Sequence, residues 1–197
     1  MPEFFNPDNE VEKHRHKLPH WQQHDVWISV TWRLADSLPQ SKLDQWKEQR
    51  DTWISHYPPP WDSATEAAYH ERFTREIEEW LDAGHGKCLL RKPANSRIVA
   101  EALHFFDGER YRLASYVVMP NHVHVLFSPI GHHQLSEILH SWKRHSSFLI
   151  NQQEHQSGTL WQADYWDRLV RSREHFDWVV RYISENPKHL PAGEFIL

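Results

Sequence analysis

The stretch that decides the fold reads Tyr116-Val-Val-Met-Pro-Asn-His-Val-His-Val-Leu-Phe127. Two apolar runs flank a central Pro-Asn pair, and in the second run His122 and His124 alternate with Val123 and Val125. This alternation predicts a β-strand, because successive side chains of a strand point to opposite faces of the sheet. Both imidazoles then project from one face, roughly 7 Å apart along the strand, while the two valines face the core.

Two neutral imidazoles on one face can hold a divalent metal ion. The same spacing is compatible with two half-exposed strand histidines that bind nothing. With 17 histidines among 197 residues, a His-x-His spacing arises readily by chance. The choice between these interpretations therefore depends on the rest of the chain.

The length and composition favour one globular domain with a single core, or one domain with a helical insertion. No apolar run approaches the roughly 20 residues needed to cross a bilayer. The first 23 residues are polar and contain no signal-peptide core, so we expect a cytoplasmic protein without a membrane partner. The single cysteine, Cys88, excludes an internal disulfide and a multi-cysteine zinc site.

The net charge of −5 is concentrated in one segment. Between Ser41 and Asp82 there are five basic and ten acidic residues, which equals the whole excess. The remainder is neutral overall and contains local basic groups, such as Lys143-Arg144 and the stretch from Arg168 to Arg173. This distribution permits a nucleic-acid partner, although the sum of charges does not suggest one.

Hydrophobic periodicity and turn residues predict the order of helices and strands. We expect residues 1–24 to form a polar, loosely held N-terminal arm. Strands are expected at Val26–Leu34, Tyr111–Met119 and His122–Ser128, the last two antiparallel to each other. Helices are expected from Ser41 to about His56, Ser63–Asp82, Pro93–Phe106, Leu135–Asn151 with Lys143 and Arg144 outward, and from about Glu174 to Asn186. The aromatic stretch Leu160–Val170 is of uncertain type.

A second informative stretch is Arg181–Pro187 near the end of the last predicted helix. Tyr182 and Asn186 are four residues apart, so they share one face of that helix. A tyrosine beside a metal can act as a nucleophile, but an unperturbed pKa near 10 leaves only about 0.1% phenolate at neutral pH. The alternative is a packed helix tyrosine followed by a capping asparagine.

Taken in order, five short motifs resemble one family. They are Met119-Pro-Asn-His-Val-His124, Leu160-Trp-Gln162, Asp167-Arg168, Tyr182-Ile183 and Asn186-Pro187. Together they resemble the HUH-type single-tyrosine transposases, and within them the REP-associated tyrosine transposases, relatives of the IS200/IS605 enzymes. The resemblance covers roughly Val26 to Pro187. Each piece is weak alone, but their combined order and spacing are specific.

The resemblance implies an α+β fold, the HUH endonuclease fold, in which a ferredoxin-like antiparallel sheet is packed with helices. It implies one domain over residues 25–190 with a helical insertion at about 41–97, followed by a short tail at 191–197. By position, His122 and His124 match the histidine pair, Tyr182 the nucleophile and Asn186 a third, polar metal ligand. A site of two histidines and an amide suits Mg²⁺ or Mn²⁺.

The implied function is a metal-dependent endonuclease and strand transferase for single-stranded DNA that folds into REP-like hairpins. Tyr182 would form a 5′-phosphotyrosine link that preserves the energy for rejoining. We expect Lys143, Arg144, Arg168 and Arg171 to contact phosphates. A monomer is expected, with a dimer as the alternative. The chain departs from the family after Asn186-Pro187, where it reads Lys-His-Leu-Pro-Ala-Gly193, which puts a DNA-contacting C-terminal tail in doubt.

Two other functions compete with this one. A protein with the same fold could recognise hairpin DNA as a catalytically silent regulator, although a pure binder has no need for His122, His124, Tyr182 and Asn186 together. An unrelated His-x-His metalloprotein of the cupin type requires a β-rich chain with a glycine-rich approach to the histidines. In this chain helical patterns dominate and Met-Pro-Asn precedes the pair.

Overall fold

The structure is a computed structural model that describes residues 3–6, 8–9, 12–15, 19–58 and 61–197. The chain divides into two compact units, a larger one formed by Met1–Ala35 with Leu89–Leu197 and a smaller one formed by Asp36–Cys88. The sequence placed a helical insertion at about 41–97. The smaller unit instead ends before the helix that begins at Pro93, and that helix belongs to the larger unit.

The helices and strands are numbered in chain order. The strands are β1 (Glu12–Arg15), β2 (Pro19–Gln22), β3 (Ile28–Arg33), β4 (Tyr111–Val118), β5 (His122–Pro129) and β6 (Trp166–Leu169). The α-helices are α1 (Gln40–His56), α2 (Ser63–Tyr69), α3 (Arg75–Asp82), α4 (Pro93–His104), α5 (Leu135–Gln153) and α6 (Arg173–Glu185). A π-helical segment, His70–Thr74, joins α2 to α3, and short 3₁₀ segments lie at Leu89–Arg91 and Asn186–His189. Among the described residues no helix combines the length and apolar character needed to cross a membrane.

Four strands of the larger unit form one antiparallel sheet in the order β4-β5-β3-β6. The chain enters at the inner strand β3, continues through α4 to the edge strand β4, returns through β5, and reaches the other edge, β6, after α5. This is the ferredoxin-like order of strands and helices. The predicted α+β fold and the antiparallel pairing of β4 with β5 are therefore confirmed.

One face of this sheet is the main core. Every second side chain of β3 and β5 points to this face and packs there against α4 and α5. The members of this cluster include Ile28, Val30, Trp32, Val123, Val125, Phe127, Val99, Leu103, Ile138, Leu139 and Trp142. The prediction that Val123 and Val125 face the core is thus confirmed, since both are fully buried.

Helix α6 packs on the opposite face. Its Val179 and Ile183 form a second, smaller apolar cluster with Val117, Leu126 and Val170. Ser172 begins the helix as its N-cap, because its hydroxyl accepts a hydrogen bond of 3.2 Å from the backbone N–H of His175. The sheet therefore separates a large core on one side from the helix that carries Tyr182 on the other.

The two ends of the chain are attached to this sheet. Phe5 donates its backbone N–H to the carbonyl of Val170 at 2.8 Å and packs on the main core, so this part of the predicted arm at residues 1–24 contacts the sheet. Other residues of the predicted arm, among them His16, lie outside the described residues. At the other end, Ile196 forms an antiparallel bridge with Val118 on the β4 edge.

The smaller unit consists of α1, α2 and α3 with the π-helical segment between the last two. The single helix expected over Ser63–Asp82 is therefore interrupted by π-helical hydrogen bonds at His70–Thr74. Trp46 of α1 is buried and donates its indole N–H to the carbonyl of Phe73 at 3.1 Å. This contact ties α1 to the π-helical segment.

Candidate active site

His122 and His124 lie on β5, an inner strand of the sheet, and project from the face that α6 covers. Their fractional exposures are only 1% and 3%, so they are not the half-exposed strand histidines of the alternative interpretation. The two Nε2 atoms are 3.0 Å apart, much closer than the roughly 7 Å expected from strand spacing alone. The rings therefore lean toward each other and present one nitrogen each to a shared point.

Both imidazoles are anchored through their other ring nitrogen. His122 Nδ1 lies 2.7 Å from Asn121 Oδ1, and His124 Nδ1 lies 2.7 Å from Thr31 Oγ1. An amide oxygen can only accept a hydrogen bond, so His122 Nδ1 carries the proton and its Nε2 holds a lone pair. Thr31 is the register partner of His124 across β3 and β5, which explains why its hydroxyl reaches that ring.

This geometry fits a divalent ion. The hydroxyl of Thr31 can accept as well as donate, so His124 Nδ1 can carry a proton and leave a second lone pair on its Nε2. When His124 instead carries its proton on Nε2, that N–H donates to His122 Nε2 across the 3.0 Å. With both protons on Nδ1, the two facing lone pairs repel unless a cation lies between them. Two ligands of an octahedral ion at about 2.1 Å and a right angle are about 3.0 Å apart. The anchored pair is thus suited to Mg²⁺ or Mn²⁺.

The protonation state of the pair favours metal binding. Burial lowers the pKa of His124 to about 4. Burial, together with the adjacent His124, holds the pKa of His122 well below its ordinary value of 6.5. Both rings are therefore neutral at pH 7, as a metal ligand must be.

Tyr182 lies beside this pair. Its ring meets the ring of His124 edge-on, with centroids 5.4 Å apart and an angle of 85°. On its other side the ring of Trp178 is nearly parallel, at 5.5 Å and 14°. The tyrosine hydroxyl oxygen is buried. Helix α6 therefore brings the predicted nucleophile into ring contact with one of the two predicted metal ligands.

Asn186 follows Tyr182 by one turn at the end of α6. Its backbone N–H donates to the carbonyl of Tyr182, and its dihedral angles stay helical although Pro187 follows, so the chain continues into a 3₁₀ turn. The side-chain Oδ1 is buried and accepts no hydrogen bond from the described residues. A buried amide oxygen without a donor is costly, and a cation can satisfy it.

Among the described residues, the histidine pair gains no further His, Cys, Asp or Glu as a third ligand. Within the described part of the chain, no three His, Cys, Asp or Glu side chains are grouped as they would be around a metal ion. The amide of Asn186 is not one of those residue types. Its role as a third ligand therefore stays a prediction that its buried oxygen supports.

Arg33 is a residue that the sequence did not single out. It is the register partner of His122 on β3 and is only 2% exposed. Burial lowers the pKa of its guanidinium to about 10, so it remains charged at neutral pH. Its guanidinium lies 5.9 Å from the ring centre of Trp166. A buried positive charge thus lies at the same end of the sheet as the histidines.

The four predicted phosphate contacts differ in their surroundings. Lys143 does not point outward, because its ammonium group donates to the carbonyls of residues 162, 163 and 164 at 3.0, 3.0 and 3.3 Å. Burial lowers its pKa to about 8, against the opposing effect of the Asp164 carboxylate. Arg168 is half-buried on β6, whereas Arg144 and Arg171 are exposed.

Comparisons with known proteins bear on this arrangement. A family model described as "Transposase IS200 like" matches residues 87–186, just over half of the chain, which include both histidines, Tyr182 and Asn186. A solved REP-associated tyrosine transposase, bound to a REP hairpin, is 16% identical with a TM-score of 0.45, over 84% of this chain and 68% of that one. A candidate transposase from Deinococcus radiodurans R1 is 15% identical with a TM-score of 0.34, over 92% of this chain and 97% of that one. No curated protein sequence matches the chain.

Proposed function

Since this chain belongs to the IS200-like transposase family, we propose that it nicks and rejoins single-stranded hairpin DNA through a covalent link to Tyr182. The observation that carries the proposal is the ring contact of 5.4 Å between Tyr182 and His124, because it joins a nucleophile to a buried, neutral histidine pair. The motif resemblance supplies the substrate, single-stranded DNA that folds into an imperfect, REP-like hairpin. We expect this protein to act in the cytoplasm as a monomer.

In the proposed reaction the Tyr182 hydroxyl oxygen forms an ester bond to the scissile phosphorus. The bond from that phosphorus to the 3′ oxygen breaks, the phenol proton is lost, and the leaving oxygen takes up a proton to become a 3′-hydroxyl. Attack of a 3′-hydroxyl on the phosphotyrosine reverses these steps and rejoins a strand. No ATP is needed, because one phosphodiester is exchanged for another.

Each neighbouring residue has a separate task in this proposal. Asn121 and Thr31 hold the rings of His122 and His124 so that both Nε2 atoms face the same point. His122, His124 and the Asn186 amide would hold Mg²⁺ or Mn²⁺, which supplies positive charge that polarises the scissile phosphate. Arg33 adds a buried positive charge that favours an anionic substrate at the same end of the sheet.

The test is a cleavage assay on hairpin oligonucleotides taken from repeats that flank the gene, with Mg²⁺ or Mn²⁺. We expect the wild type to give a protein–DNA adduct on a denaturing gel. The adduct should carry a 3′ label but no 5′ label, and the released fragment should end in an extendable 3′-hydroxyl. Tyr182→Phe and EDTA should each abolish the adduct.

Tyr116→Phe is the matched control. Tyr116 pairs in register with Val125, so it lies on the face of the sheet opposite His124, and its hydroxyl contacts His104 at 3.1 Å. Removing this hydroxyl should leave cleavage unchanged. Hairpin binding without cleavage by the wild type would overturn the proposal and favour a regulator that only binds DNA.

A further inference from the structure

Trp178 is unusually exposed for its residue type. Its fractional exposure is 53%, and it is the one exposed tryptophan among those whose burial the structure describes. It lies four residues before Tyr182, hence one turn, about 6 Å, along α6. Its ring contact with Tyr182 places this exposed aromatic surface beside the proposed nucleophile.

The rings around Trp178 form a continuous row. His124 meets Tyr182 edge-on at 5.4 Å, Tyr182 is nearly parallel to Trp178 at 5.5 Å and 14°, and His175 lies beyond at 6.3 Å and 49°. The orientation of the indole is therefore fixed by its contact with the nucleophile. Because Trp178 is 53% exposed, part of its surface is open to solvent.

We propose that the exposed surface of Trp178 is a subsite for one unpaired nucleobase next to the scissile phosphate. This inference rests on the proposed function, because it deepens the description of that DNA substrate. A phosphate attacked by Tyr182 must lie beside its hydroxyl, so the bases flanking that phosphate lie within about one helical turn of it. Trp178 lies at this distance and offers a flat aromatic surface.

The chemistry favours a base that is unpaired. Base–aromatic stacking tolerates any sequence, since every base has a π-face, but a base within a duplex already has both faces covered by its neighbours. The subsite therefore selects a nucleotide at a single-stranded position. It would position the strand for cleavage without reading its sequence.

The first arm of the test is a cleavage assay that crosses Trp178→Ala with abasic substrates. Once the nick is mapped, the nucleotides on either side of it are made abasic one at a time. Loss of one stacked base should lower kcat/KM by about 5- to 150-fold. At the stacked position, the abasic substitution and Trp178→Ala should not add, because each removes the same contact.

Two variants separate base stacking from mere support of Tyr182. Trp178→Phe keeps an aromatic surface and should retain much of the activity. Phe148→Ala removes an aromatic ring that is 67% exposed on α5, which packs on the other face of the sheet, and should change nothing. If Trp178→Ala loses the same factor on every substrate, abasic ones included, then Trp178 only supports the tyrosine and the inference is wrong.

The second arm measures binding without cleavage. The protein is the Tyr182→Phe variant, which keeps the stacked rings but cannot cleave. The fluorescent base 2-aminopurine is placed at each unpaired position near the mapped nick. If no nick is found, it is placed at each position along the hairpin flanks. Fluorescence quenching at one position that is lost in Trp178→Ala would support the subsite. Wild-type cleavage without such a position refutes the subsite and leaves the proposed function intact. Quenching without wild-type cleavage refutes the cleavage chemistry alone, and failure to bind any hairpin refutes both.

Discussion

Removing the hydroxyl of Thr31 should weaken metal binding without abolishing it. Thr31→Val preserves the shape of the side chain but deletes the oxygen that lies 2.7 Å from His124 Nδ1. When Nε2 of His124 binds a metal, Nδ1 must carry the proton, and in the variant this N–H has lost its acceptor. His124 is only 3% exposed, so water does not readily replace the hydroxyl.

The expected magnitude follows from that unpaired donor. A buried polar group without a partner costs about 1–3 kcal/mol, and loss of an outer-shell partner typically lowers metal affinity about 10- to 100-fold. We therefore expect Mn²⁺ to bind Thr31→Val about 10- to 100-fold more weakly than the wild type. The rate of DNA cleavage at saturating Mn²⁺ should change much less, because the ligands themselves remain.

Isothermal titration calorimetry of the chelator-treated protein with Mn²⁺ measures this affinity directly. The Mn²⁺ concentration for half-maximal cleavage should shift by the same factor. Thr31→Ser, which keeps the hydroxyl, is the matched control and should stay near the wild type. Equal Mn²⁺ affinities for the valine and serine variants would refute the claim that this hydroxyl orients His124.

Three further predictions concern stability. Burial lowers the folded-state pKa of His124 to about 4 against 6.5 in the unfolded chain, so its contribution is present above pH 6.5 and lost as the pH falls toward 4. In EDTA, urea unfolding should show about 2–3 kcal/mol lost from this residue between pH 7.5 and 4.5, and His124→Gln should reduce the loss. Lys143→Met should lower the free energy of unfolding at pH 7 by about 1–3 kcal/mol in urea titrations, because three carbonyls lose their donor. An unchanged free energy of unfolding would show that these hydrogen bonds do not stabilise the fold. Gly86→Ala should lower the melting temperature more than Gly84→Ala. Both glycines have positive φ, but only at Gly86 would an added Cβ lie 2.6 Å from a backbone atom, the carbonyl oxygen of Asp36. Equal shifts in melting temperature would argue against this contact.

The local elements of this fold could be predicted because their signals lie within a few residues. Alternation around His122 and His124 marks β5, and the proline at position 93 suits the first turn of α4. β6 could not be predicted as a strand because it spans only Trp166–Leu169 and shows no alternation of apolar and polar residues. Its pairing with β3 is a tertiary contact.

That His122, His124 and Tyr182 lie close together could be predicted from the sequence, but the residues that support them could not. Thr31 is 93 residues from His124 in sequence, and only the register of β3 with β5 brings them together. The side chain of Lys143 points inward because its ammonium group donates to carbonyls about 20 residues away in sequence. Helical periodicity does not show such a contact, so Lys143 was predicted to point outward. The exposure of Trp178 is equally a property of the assembled fold. The metal-binding and catalytic roles themselves remain predictions.

The two halves of the proposed site are held with unequal strength. The histidines lie on an inner strand, hydrogen-bonded on both sides and backed by the main core, whereas Tyr182 lies on α6, which one small apolar cluster attaches to the sheet. Segments with less buried apolar contact open locally at a lower free energy than global unfolding requires. Amide hydrogens of α6 should therefore exchange sooner than those of β5. Each such opening would withdraw Tyr182 together with Asn186, which caps α6, while the histidine pair persists. The proposed site would then lose its nucleophile and its third ligand in one motion.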